Sequence, residues 1–90
     1  MAAEVDCVVF QVPSEVRAGQ TFRVVAMDST EPPGPVGGVT VAIYRNGEKV
    51  MERQSSAFGE AVFQIDKPGD YEIKAVNAAS KPVSVRILDQ

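Results

Sequence analysis

Residues able to do chemistry are scarce in this chain of 90 residues. It has no histidine. That removes the commonest general base, the Ser-His-Asp and Cys-His arrangements, nearly all zinc sites and the two-histidine blue-copper site. The one cysteine, Cys7, shares the parity of Val9 and Gln11, opposite Val8, Phe10 and Val12, so partial exposure is expected. A reactive thiol needs a neighbouring cation to lower its pKa, and the adjoining residues supply none. Carboxylates remain. Asp28 and Glu31 share one stretch, and Asp66 and Asp70 flank another. Calcium takes about six to eight oxygen ligands, so either pair needs Glu60 or Asp89 to join it in space. Gly37-Gly38 lacks the lysine and following helix of a phosphate-binding loop. The residues predict no catalytic site, no metal and no cofactor, with the acids as solvated turn residues.

Two other groups of residues have the chemistry of contact. Residues 28–38, Asp28-Ser-Thr-Glu-Pro-Pro-Gly-Pro-Val-Gly-Gly38, hold three prolines and three glycines. Glu31, Pro32, Pro33 and Pro35 form a candidate binding loop. The plainer reading is that the prolines stiffen an exposed connection and reduce the entropy of the unfolded chain. A short Pro-Pro-Gly-Pro run is also a polyproline II ligand candidate. The second group is apolar but out of phase with the core. Val9, Val25, Met27 and Val62 fall on one outward face, and Ala42, Tyr44, Val76 and Leu88 on another. A contiguous patch of these would be an interface, with Val25, Met27, Tyr44 and Val62 as its candidate residues.

The elements that must position these groups are strands. Residues 7–12 are rich in β-branched side chains and stop at Pro13, which cannot continue a central strand. Alternation places Phe22, Val24 and Ala26 on one face of 20–27, and Val39, Val41 and Ile43 on one face of 39–45. Asn46-Gly47 is a hairpin signal because both residues tolerate positive φ. The returning 48–53 is polar enough for an edge strand. Strands follow at 60–65 (Ala61, Phe63 and Ile65 inward), 71–77 (Tyr71, Ile73 and Ala75) and 83–88 (Val83, Val85 and Ile87), with Lys67-Pro68-Gly69-Asp70 as a turn. Short strands separated by turns at this spacing predict an all-β protein, an immunoglobulin-like antiparallel sandwich of about seven strands. Tyr71 stands where a tyrosine corner would place its ring. Loops 28–38, 54–59 and 78–82 would then gather at one end, the end that variable domains use for recognition.

Composition narrows the partners. A net charge of −3 comes without a Lys/Arg cluster, so the counterion release that drives nucleic-acid binding is missing. No run of about 18 apolar residues exists to insert in a membrane. One domain is expected over residues 1–90, with an ordered core of about 6–89. The start, Met1-Ala2-Ala3-Glu4, has neither the basic nor the apolar region of a signal peptide. Either the protein is cytoplasmic, or the chain is a piece of a longer one; the second is the expectation.

Three segments carry a family resemblance: Val16-Arg17-Ala18-Gly19-Gln20-Thr21-Phe22; Val39-Thr40-Val41 with Asn46-Gly47; and Gly59-Glu60-Ala61-Val62-Phe63 followed by Pro68-Gly69-Asp70-Tyr71. Together, over about residues 12–88, they resemble the prokaryotic Ig-like repeat modules of surface and secreted proteins. Carboxypeptidase regulatory-like, filamin-type and fibronectin type III domains are similar in pattern. These are turn and core positions, so they specify fold better than function. The resemblance implies an exported or cell-surface parent in which such modules stand in tandem, with neighbouring domains or another protein as partners. Three roles remain open. The first is a non-catalytic structural spacer. The second is a recognition module binding protein or glycan through the three loops. The third is an intracellular scaffold pairing through its sheet faces or the edge strand 48–53.

Overall fold

The computed structural model describes residues 7–30 and 32–89. Its strands, in chain order, are β1 (Val9–Gln11), β2 (Glu15–Arg17), β3 (Thr21–Met27), β4 (Thr40–Arg45), β5 (Glu48–Gln54), β6 (Glu60–Gln64), β7 (Gly69–Ala75) and β8 (Val83–Leu88). They form a three-stranded sheet ordered β1-β3-β6 and a five-stranded sheet ordered β2-β8-β7-β4-β5. Alternating side chains of each sheet face the other and exclude water: Phe22, Val24, Ala61 and Phe63 from the first, Val41, Ile43, Tyr71, Ile73, Val85 and Ile87 from the second. Phe22 and Phe63 are cross-strand partners with ring centroids 6.0 Å apart. The all-β sandwich read from the sequence is the fold.

The beginning of the chain departs from expectation. β1 pairs antiparallel with β3, but it is shorter than residues 7–12. Pro13, with no N–H and a fixed φ, interrupts the ladder, and the chain crosses to the other layer. There β2 pairs in parallel with β8, Val16 lying opposite Ile87. Backbone bonds bracket this pairing, from Arg86 N–H to the Ser14 carbonyl (2.9 Å) and from Ala18 N–H to the Leu88 carbonyl (2.8 Å). Val16 and Ala18 enter the core as a result. Among the described residues the sandwich therefore has eight strands rather than about seven, and one parallel strand pair among antiparallel ones.

Local signals held elsewhere. Asn46 and Gly47 take φ of 53° and 82°, the left-handed pair of a tight hairpin turn. Beyond it the β4–β5 register shifts: Ile43 faces Met51 and Tyr44 faces Lys49, so Val50 is the extra residue of a bulge. β5 is an edge strand, with only Met51 half-buried. Tyr71 is 4% exposed, and its hydroxyl donates to the Lys67 carbonyl at 2.8 Å. That bond anchors the turn into β7 as a tyrosine corner does.

Candidate functional site

Connections 28–39, 55–59 and 76–82 lie at one end of the sandwich, and hydrogen bonds join them. The first is closed on itself by Asp28. Its Oδ1 accepts from the Thr30 hydroxyl, from Gly34 N–H (3.1 Å) and from Thr30 N–H (3.2 Å), while its own N–H donates to the Gly34 carbonyl (2.8 Å). These donors, the Thr30 hydroxyl foremost and then the Gly34 and Thr30 amides, hold the Asp28 carboxyl below the ordinary value of 3.8. Farther along, Met27 and Pro35 form an isolated antiparallel bridge, and Val36 N–H donates to the Ala26 carbonyl (2.9 Å). Pro32, Pro33 and Pro35 are exposed along this tied backbone. Glu31 lies outside the described residues.

Ser55 is the joint between the first two connections. It is 6% exposed; its hydroxyl donates to the Val36 carbonyl (2.8 Å) and accepts from Val39 N–H (3.0 Å). A buried hydroxyl with both functions used escapes the penalty of an unpaired polar group and fixes whatever it joins. Close backbone approach completes the joint. A Cβ on Gly37 would stand 2.8 Å from the Ser56 carbonyl oxygen, and one on Gly59 would stand 2.5 Å from that of Ala26. Asn77 supplies the third connection, its Oδ1 accepting from Thr40 N–H (2.9 Å) and its Nδ2 donating to the Gly38 carbonyl (3.2 Å). The three loops named from the sequence are thus brought together.

At the crest of this end stands Phe58, 75% exposed. Its turn is ordered by Ser56, whose Oγ accepts from the Phe58 and Glu60 amides (3.2 and 3.3 Å). Sequence reasoning passed over Phe58, because an aromatic beside a glycine in a short turn has no parity to show which way it points.

The outward apolar residues are only partly brought together. On the three-stranded sheet Val9 faces Met27, and Val25 lies next to them on β3. Val62 is set off from them, because the ion pair of Arg23 with Glu60 (3.7 Å) runs diagonally between Val25 and Val62. Tyr44 belongs to the other sheet, where Lys74 Nζ lies over its ring at 4.8 Å. Ala42, on the same outward face as Tyr44, is fully buried.

The opposite end holds the hairpin turn at 46–47 and the turn into β7. Between the free edges of β5 and β6 it opens into a depression of about 380 Å³ lined by Arg45, Val50, Met51, Gln64, Ile65, Asp66, Lys67 and Tyr71. Arg45 Cζ lies 5.6 Å from the centre of the Tyr71 ring, a cation-π contact.

The acids find separate partners. Asp70 accepts from Arg86 Nε at 3.1 Å, and Asp66 accepts a long bond from Gln64 at 3.5 Å. Among the described residues, no three Cys, Asp or Glu side chains converge as metal ligands do. Cys7 is half-buried.

No family model matches the chain. No curated protein matches it either. Among solved structures it is similar to the CARDB domain of a protein from Pyrococcus furiosus. The solution NMR structure of that domain gives a TM-score of 0.46 at 15% identity, over 93% of each chain. A crystal structure of the domain in complex with di-metal ions gives 0.45 at 15% identity, over 96% of this chain and 88% of that one.

Proposed function

We propose that this chain is a non-catalytic spacer module of a larger exported or cell-surface protein, an Ig-like repeat of the prokaryotic kind. One observation carries the reading: the path of the chain through the fold. β1 begins beside the loop end, where Val8 N–H donates to the Ala79 carbonyl (2.8 Å). β8 finishes at the other end, where Leu88 pairs with Arg17. A chain that enters one end and leaves by the other sets whatever precedes and follows it apart by the length of a strand, about 23 Å for seven residues. Such a role needs rigidity, no cofactor and no nucleic acid or membrane, only neighbouring domains to hold.

A second reading rests on Phe58. A single aromatic side chain projecting from a hydrogen-bonded turn, whose Gly59 lies against the exposed Pro35, suits an anchor for a protein or a glycan face, since rigid aromatic groups lose little entropy on binding.

Fractionation of source cells, with immunoblot and mass spectrometry of the native polypeptide, tests both. A much longer chain in the envelope or medium is expected. A free polypeptide of this length in the cytosol would overturn the spacer and put the intracellular scaffold in its place. In the native protein Phe58→Ala should leave the spacer intact and abolish attachment to any partner held by the loop end; unchanged attachment sinks the second reading.

A further inference from the structure

The four sheet edges are not equally guarded. β5 carries Glu48, Lys49, Glu52 and Arg53 and is bulged at Val50, devices that discourage pairing. β1 and β2 have three residues each and flank Pro13. β6 has five residues, no proline, glycine or bulge, one charge at Glu60, and no strand on its far side among the described residues.

The backbone groups left open there can be identified. Residues facing one another across an antiparallel pair alternate between bonded and non-bonded. Ala26 N–H donates to the Gly59 carbonyl at 2.7 Å, so the pairs of the same parity, Val24 with Ala61 and Phe22 with Phe63, exchange bonds within the sheet. The intervening residues of β6 turn their amides and carbonyls outward. Glu60 spends its own on Ser56: its carbonyl accepts from Ser56 N–H at 2.9 Å and its N–H donates to Ser56 Oγ at 3.3 Å. Val62 and Gln64 retain theirs, with no backbone partner on that side among the described residues.

Gln64 itself lines the depression, which is walled by Val50 and Met51 of β5 and Ile65 beyond β6. At its rim stand two cations, Arg45 and Lys67, against one carboxylate, Asp66. Neither cation has an ion pair among the described residues. Because β5 and β6 are edges on the same side of the sandwich and touch, a folded second copy approaching β6 would bring its own β5 against this one. A single extended segment meets no such obstacle.

We propose that this slot takes an extended peptide segment of a partner protein. The segment pairs its backbone with Val62 and Gln64, sets an apolar side chain against Val50, Met51 and Ile65, and places a carboxylate beside Arg45 and Lys67. Main-chain bonds give such strand addition its affinity, and alternate side chains its specificity; the unequal charge of the rim chooses the acidic end.

The test is an array of synthetic peptides about eight residues long, enough to span the edge at about 3.3 Å per residue. Alternate positions carry Val, Ile, Leu or Phe, and the last residue is Asp or Lys. Binding is followed by amide NMR of the whole chain. The expected result is that Asp-ended members bind roughly tenfold tighter than Lys-ended ones, with the Val62 and Gln64 amides shifting most. Lys67→Gln, which leaves the carbonyl that anchors Tyr71 in place, should shrink that preference, and Met51→Lys should weaken every member. Absence of binding up to about 1 mM across the array, or shifts confined to the loops around Phe58, would overturn the proposal.

Discussion

Asp28 shows how much one side chain can decide. Its carboxylate stands in for backbone partners that a proline-rich connection cannot supply, and it ties Asp28 to Thr30 and Gly34 by hydrogen bonds. A carboxyl held below its ordinary value favours the folded loop wherever it is ionised, and that preference is lost as pH falls through the lowered value. The loop should therefore stay closed through neutral and mildly acidic pH and loosen only below 3.8. The Gly34 amide shift, followed by NMR on acidification, reports the opening. In Asp28→Asn the titration should vanish. A Gly34 midpoint at or above 3.8 would contradict the assignment.

At the scale of elements, legibility in the sequence followed the length of the alternating pattern. Thr21–Met27, Glu60–Gln64 and Val83–Leu88 each bury the face that period two assigns, and Thr40–Arg45 does so while burying Ala42 of its other face as well, because a one-residue slip in a two-layer fold would turn a strand's whole buried face to solvent. Glu15–Arg17 could not be read that way. Three residues hold barely one period, and their partner β8 lies at the far end of the chain. The candidate loops were legible as a group, since topology alone carries 28–38, 54–59 and 78–82 to one end. What binds them to each other was not, because Ser55 reaches Val36 and Asn77 reaches Gly38 across folded rather than sequential distance. The charged edge β5 was legible as an edge, whereas the open side of β6 required knowing that no other strand of the described residues follows it in the sheet. Ser55 also carries the energetic prediction at this scale. Ser55→Ala leaves the Val36 carbonyl and the Val39 amide without their partner in a buried place, a cost of about 1–3 kcal/mol. Urea denaturation should show that loss, against a change within about 0.5 kcal/mol for the exposed Phe58→Ala. Equal stabilities of the two variants would mean that Ser55 is not the joint described.

Seen whole, the molecule is two layers sewn together by its first dozen described residues. β1 belongs to one sheet and β2 to the other, with Pro13 between them. Since β2 lies parallel to β8 and the two approach opposite termini, tension applied along the chain would not peel them apart bond by bond. It would load the β2–β8 ladder in shear, together with its bracketing bonds at Ser14 and Ala18, so that several must rupture at once. Detaching β1 alone would leave that clamp closed. In a pulling experiment on single molecules the chain should resist with one dominant force peak, and Val16→Pro, which deletes a ladder donor beside Ile87, should lower it. A peak unchanged by that substitution would place the mechanical lock elsewhere. A spacer of the kind proposed is of use only while it is itself hard to stretch, and the crossing at Pro13 makes the second strand of this fold, β2, an anchor against force.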